Sequence, residues 1–261
     1  HQGQEFWTPV NYVHNTAVGG HGAAIEIRQG SNGGLAGLEL AASHLSSRPP
    51  GKAAVITTGD AFRMPYFDRW CSDSQQVYGD GAGALVVSSR EGFARVRSTV
   101  SLTDSSLEPI YRGTSGWTDA PFADGKTVDL ASRKASYLTQ NEDGYDEVIG
   151  KMVANAAAVL KGVLADAETG MDDLDFFIHA NIAETIAGFA FHQLLGVDRA
   201  KTTYDWGLDF GHMGAGDQII GLDHLASTGQ LKAGDLVGMM GVGVGFMWTA
   251  AVLEIIEAPR W

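Results

Sequence analysis

Apolar positions along the chain fall into short blocks whose period changes again and again. Residues 9–17 are helix-like, the alternating run 23–27 (Ala-Ala-Ile-Glu-Ile) reads as a strand, and 35–45 reads as a helix. An unbroken apolar run over 53–58 stops at Gly59-Asp60, as a buried strand stops at a turn. Residues 83–88 and 94–100 then read as adjoining strands joined by Arg90-Glu91-Gly92. From 103 to 135 the chain is polar, rich in Ser, Thr, Asp and Gly, with no period, and predicts a long surface loop or cap. Helical spacing returns with Val148, Met152, Ala156, Val159 and Val163, which predicts an amphipathic helix over 145–165. After it come a strand at 174–178, a helix at 182–195, a short strand at 202–204, a helix at 214–225, and strands at 236–240 and 246–256. The alternation defines an α/β protein with two successive β-α-β series.

The two series end alike. Gly79-Asp80-Gly81-Ala82-Gly83 precedes one apolar strand and Gly241-Val242-Gly243-Val244-Gly245 precedes another. Neither run has the dinucleotide fingerprint or the lysine of a P-loop, so close backbone approach in a packed core is expected rather than phosphate binding. Composition narrows the classes further. A chain of 261 residues, 44% hydrophobic and 19% charged, can bury a sizeable core. Its net charge of -13 argues against a nucleic-acid surface and against anionic membranes. The single cysteine, Cys71, leaves no disulfide framework and no cysteine-built metal site, which suits a reducing cytoplasm. No apolar run approaches the roughly 18 residues of a membrane span, and the first seven residues lack the features of a signal peptide. The expected protein is cytoplasmic, with no resident metal or cofactor.

One local feature calls for chemistry. In Arg28-Gln29-Gly30-Ser31-Asn32-Gly33-Gly34, a hydroxyl sits among three glycines where the predicted strand turns into the predicted helix. Further along lie Tyr78-Gly79-Asp80-Gly81-Ala82-Gly83-Ala84, then His179-Ala180-Asn181, then Gly234-Asp235-Leu236-Val237 leading to Gly243-Val244-Gly245-Phe246-Met247-Trp248. In order and spacing these blocks resemble the thiolase superfamily, specifically ketoacyl-(acyl carrier protein) synthase III, over essentially the whole chain. The resemblance implies a thiolase-like five-layered α/β/α/β/α fold built of two related halves, and a homodimer. It divides the chain into an N-terminal half over 1–103, an excursion or cap loop over 104–144, and a C-terminal half over 145–261. The family's first half opens with a β-α-β portion before the segment matching Phe6 onward. That portion is expected to be missing here, and the sequence to be part of a longer polypeptide.

The resemblance also places a site. A strand in the family leads into a nucleophilic cysteine at a helix N-terminus, and that position is Ser31, so the glycine-rich turn reads as a nucleophile elbow. The family's histidine is kept as His179. Its asparagine is replaced by His212, in Phe210-Gly211-His212-Met213-Gly214-Ala215-Gly216-Asp217. This combination is similar to the starter-unit synthases and acyltransferases of aromatic polyketide pathways, including the propionyl-priming enzymes of daunorubicin-type biosynthesis. His1-Gln2-Gly3 with Trp7-Thr8-Pro9 carries the same similarity.

The changes have a physical logic. A thiol ionises near about pH 8.5, and lower at a helix N-terminus, whereas a serine hydroxyl needs a general base that is itself oriented by a third group. His212 or His179 can be that base, with Asp217 or another carboxylate as orienter. Against this, a buried histidine is often only a satisfied core imidazole, and an acid at a helix start often only complements the dipole. The resemblance assigns the oxyanion hole to the N-H groups of Ser31 and Val244. It implies that a short acyl group, propionyl, passes from acyl-CoA to Ser31 and then condenses, with decarboxylation, with a malonyl group on an acyl carrier protein. Two alternatives stand beside it: transfer to a hydroxyl or amine acceptor without condensation, and a non-catalytic partner that gates starter choice. Cys71, in a polar loop, and His14, His44, His192 and His224 receive no role, and Glu26 is expected to be paired within the core.

Overall fold

A computed structural model describes residues 7–114, 116–117, 125–140 and 144–259. In chain order its elements are α1 (Pro9–Val13), α2 (Gly33–Ser46), β1 (Ala53–Asp60), β2 (Gly81–Ser88), β3 (Ala94–Thr103), α3 (Pro109–Arg112), α4 (Leu130–Gln140) and α5 (Gly144–Asp166). There follow β4 (Phe176–Ile178), α6 (Glu184–Ala187), α7 (Tyr204–Gly207), α8 (Asp217–Ser227), β5 (Leu236–Gly243) and β6 (Met247–Ile255). A π-helical turn, His14–Val18, extends α1, and another, Gly188–Leu194, extends α6.

The strands form two sheets. β1 and β2 pair antiparallel, from Ala53↔Ser88 to Asp60↔Gly81. The second sheet has the order β3-β6-β5-β4, antiparallel except for the parallel β5–β4 pair. Helices α2 and α8 lie between the sheets. Their Leu35, Leu38, Ile219, Leu222 and Leu225 share one core with Ile56 of β1 and with Val237, Met239, Ala251 and Leu253 of the larger sheet. On the far side, Val159, Leu160 and Val163 of α5 pack against Phe177, Met240, Trp248, Ala250 and Val252. Each such aliphatic side chain contributes about 1.5–3 kcal/mol by leaving water. By length and composition α5 could cross a membrane, and here its apolar stripe covers the sheet. The described residues thus supply four layers of the expected fold. Val55 and Val86, paired across β1 and β2, face outward and stay exposed.

Several elements depart from their sequence pattern. Residues 23–27 form no strand: Ile25 is 73% exposed, and Glu26 is exposed rather than paired in the core. β2 and β3 do not adjoin, because β3 pairs with β6 along Ala94↔Ile255 to Thr103↔Met247. Residues 94–103 therefore belong to the four-stranded sheet and not, as expected, beside β2. The polar excursion holds α3 and α4, whose Ile110 and Leu130 are buried; residues 115, 118–124 and 141–143 of it lie outside the described residues, as does the segment 1–6. Thr202 makes only an isolated bridge to Phe177, and Tyr204 opens α7 rather than ending a strand.

Candidate active site

Ser31 occupies a 3-10 turn, Gly30–Asn32, that leads directly into α2. Gly30 has φ +53°, a left-handed conformation that glycine adopts without steric cost, and a Cβ there would lie 3.2 Å from the backbone nitrogen of Val244. The glycine thus lets the Ser31 turn close onto the β5–β6 turn. Gly34 does the same one turn further on, where Ala215 O lies 2.5 Å from the position a Cβ would take. The glycine cluster of the sequence is the device by which the start of α2 meets two other loops.

Through the second of those contacts Ser31 meets His212. Ser31 Oγ lies 2.6 Å from His212 Nε2, and His212 Nδ1 lies 2.6 Å from Asp217 Oδ2. A carboxylate only accepts, so Nδ1 carries the proton, Nε2 is the lone pair, and the Ser31 hydroxyl donates to it. Asp217 is held at the start of α8, where its oxygens also accept the backbone N-H groups of Asn181 and Met213, both at 2.8 Å. His212 is fixed from the other side. Its N-H donates to Val77 O and its carbonyl accepts Gly79 N-H, both at 2.9 Å, and its ring lies against that of Tyr78 with centroids 5.3 Å apart. Burial alone would depress the His212 pKa; the Asp217 carboxylate, with weaker help from Asp60 and Asp73, overrides it and raises the value above that of an ordinary histidine. This arrangement can take a proton from the serine hydroxyl and stabilise the imidazolium that results.

His179 has different surroundings. Its ring stacks on Phe191 at 4.1 Å and packs against Tyr204 and His192. Nδ1 lies 2.9 Å from the Ala180 carbonyl, to which it must donate, and Nε2 has no hydrogen-bond partner among the described residues. Burial pushes its pKa down to about 4, only partly offset by that carbonyl, so at neutral pH the ring is uncharged and Nε2 is a bare lone pair. Among the described residues His179 makes no hydrogen bond to Ser31. The link runs through the chain, since Asn181, two residues on, donates its N-H to Asp217.

Of the residues singled out in the sequence, Ser31, His212 and Asp217 come together in one hydrogen-bonded line, and Val244 N lies beside the Ser31 turn. Cys71 is exposed. Sequence reasoning missed three supports. Tyr78 was visible as the head of a motif but not as a prop for His212; Asp60, which accepts Ala215 N-H at 3.2 Å, read only as a turn residue; His192 carried no motif, and it packs on His179.

Fold and site together define a thiolase-like α/β protein with a serine, histidine and aspartate in hydrogen-bond series. Residues 25–105 match the model of 3-oxoacyl-[acyl-carrier-protein] synthase III, and residues 164–255 the model of its C-terminal part. The structure is similar to that of ChlB3, described as an acyltransferase, with a TM-score of 0.92 and 32% identity over 100% of this chain and 76% of that one. The chain belongs to the 3-oxoacyl-[acyl-carrier-protein] synthase III family. It is 27% identical to the β-ketoacyl-[acyl-carrier-protein] synthase III of Synechocystis over 90% of this chain and 70% of that protein. To the enzyme of the same name from Sphingopyxis alaskensis it is 29% identical, over 69% of this chain and 51% of the other. The synthase III of Aquifex aeolicus shares the fold, with a TM-score of 0.70 at 22% identity, 96% of this chain covering 73% of that one. The chain thus spans between about half and about three quarters of the length of these relatives.

Proposed function

We propose that this protein is an acyltransferase that carries a short acyl group on Ser31. His212 accepts the Ser31 proton as Oγ attacks the thioester carbonyl of an acyl-CoA or acyl carrier protein, and Asp217 holds the imidazole in the required tautomer. The carbonyl oxygen develops negative charge toward the N-H groups of Ser31 and Val244, the thiol of the donor leaves with the proton from His212, and an acceptor later takes the acyl group by the reverse sequence. The observation that carries the reading is the Ser31-His212-Asp217 hydrogen-bond series, 2.6 Å at both links.

Transfer to a protic acceptor fits better than decarboxylative condensation. The condensing members of the family use a histidine and an asparagine to stabilise an enolate. Here the asparagine position holds His212, whose one donor N-H is given to Asp217, and neutral His179 gives its only N-H to Ala180. What His179 offers is a neutral lone pair at Nε2, suited to accepting a hydrogen bond from, and so orienting, an incoming thiol, hydroxyl or amine. The likeness to ChlB3, an acyltransferase by name, points the same way. Condensation with malonyl-acyl carrier protein, as in the propionyl-priming enzymes of daunorubicin-type pathways, is the second reading, favoured by the retention of a histidine at position 179. A homodimer in the cytoplasm, acting on acyl-CoA and acyl carrier protein, completes the proposal. Incubation with labelled propionyl-CoA, alone, with an acyl carrier protein, and with malonyl-acyl carrier protein, separates the readings. Propionyl-carrier protein without a β-keto product supports transfer; a β-keto product supports condensation; an unlabelled protein removes both.

A further inference from the structure

The two N-H groups assigned to the oxyanion hole belong to different elements, Ser31 to the turn before α2 and Val244 to the turn between β5 and β6. Something must hold those turns in register, and Asn32 is placed to do so. It is fully buried, its Cβ lies 2.9 Å from where a Cβ on Gly243 would sit, and its Oδ1 is equally close to such an atom on Gly241. Its Nδ2 donates to Thr249 Oγ1 on β6 at 2.8 Å. Thr249 lies directly opposite Ser101 of β3, and their hydroxyls are 2.7 Å apart. Ser101 Oγ in turn donates to Glu39 Oε2 on α2.

The direction of this chain is fixed by its last member. The Glu39 carboxylate only accepts, so the single Ser101 proton goes to Glu39, the Thr249 proton must go to Ser101, and the Thr249 lone pair is left for the Asn32 amide. Four side chains, on the turn before α2, on β6, on β3 and on α2 itself, therefore run one way, from beside Ser31 to the second turn of α2. Buried polar groups need partners, and a chain that supplies them in one sense strengthens each link.

We infer that Thr249, Ser101 and Glu39 are positioning residues that act through Asn32 to set Ser31 against Val244. The inference rests on the acyl-serine reading above. A valine at 249 keeps the shape of threonine but leaves the Asn32 amide without its acceptor, and displacements well below an ångström already cost rate at a preorganised site.

The test uses the full chain and a fluorophosphonate probe. Ser31 Oγ attacks phosphorus, fluoride leaves, and the proton passes to His212, so labelling reports the triad and the oxyanion hole without an identified substrate. For Thr249→Val the maximal labelling rate should fall about tenfold to a hundredfold with the half-saturating probe concentration unchanged, and Thr249→Ser should restore it to within about threefold of the wild type. Ser101→Ala, which removes the acceptor of Thr249 and the donor to Glu39 but leaves the Asn32–Thr249 bond in place, should fall between them and serves if Thr249→Val does not fold. Equal maximal rates in wild type and both hydroxyl-deleted variants, or a Thr249→Ser rate as low as that of Thr249→Val, overturns the inference while leaving the acyl-serine reading intact. A wild type that takes no probe at Ser31 overturns the acyl-serine reading, and the inference with it.

Discussion

His212 and His179 are buried to the same degree, each 2% exposed, and their pKa values move in opposite directions. Desolvation acts on both. What differs is the partner of Nδ1: an aspartate for His212, which stabilises the imidazolium, and a neutral backbone carbonyl for His179, which compensates burial too little. One ring is therefore built to take up a proton and hold it. The other is built to stay neutral with an open lone pair. On the proposed function the two imidazoles have separable duties: His212 takes the proton of Ser31, and His179, as a neutral hydrogen-bond acceptor, orients the incoming acceptor group.

The comparison breaks most visibly under direct replacement. His212→Ala should lower the rate of Ser31 acylation by about 10⁴–10⁶, whereas His179→Phe, which keeps the stack on Phe191, should leave acylation within about threefold and slow transfer to the acceptor by about 10². Single-turnover acylation and acceptor-product formation, measured separately, check this; equal losses in both steps for His179→Phe would mean the duties are not divided. Asp217→Asn should cost about 10³–10⁴ in acylation and shift its acid limb to lower pH, because the group that raises the His212 pKa is gone. In the wild type that limb should lie above the ordinary histidine value of about 6.5, the rate rising with pH as His212 loses its proton. Rate-pH profiles of the two proteins test the sign of the shift.

The smallest effect is on stability. His179 is neutral in the folded protein down to about pH 4 and titrates at about 6.5 when unfolded, so the unfolded chain binds the extra proton and stability is lost as pH falls through that window, by on the order of 3 kcal/mol. His212 contributes the other way: its stabilisation is complete below about pH 6.5 and fades as pH rises through its raised folded value. Denaturant midpoints from pH 7 to 4 should drop less steeply in His179→Phe than in wild type. Parallel curves would show that His179 does not titrate as described.

Much of this was legible in the sequence, for identifiable reasons. The helices at α2, α5 and α8 and the strands β1, β5 and β6 carry readable apolar patterns because each puts apolar side chains into one of the two main cores. Ser31 stood out as a hydroxyl among glycines at a strand-to-helix turn, whereas its role and that of His212 came from the family resemblance, with Asp217 nominated as a carboxylate close by in sequence. Residues 23–27 differ because alternation marks a strand only where one face of the segment is buried, and here most of the segment stays exposed. β3 was assigned to the wrong sheet since pairing with β6, some 150 residues away, leaves no local trace. The opposite characters of His179 and His212 were out of reach for the same reason: they depend on which acceptor faces Nδ1. The chain from Asn32 to Glu39 was equally invisible, its members being ordinary polar residues until the fold aligns them.

The central claim is that Ser31 receives the acyl group with His212 as its base. Intact-mass and peptide mass spectrometry after exposure to propionyl-CoA tests it most directly, on wild type, Ser31→Ala, His212→Ala and Cys71→Ala. The account predicts one added propionyl group, mapped to Ser31, in wild type and Cys71→Ala, none in Ser31→Ala, and only a trace in His212→Ala on the same timescale. Undiminished labelling of Ser31→Ala, or labelling of wild type at any residue other than Ser31, would contradict it.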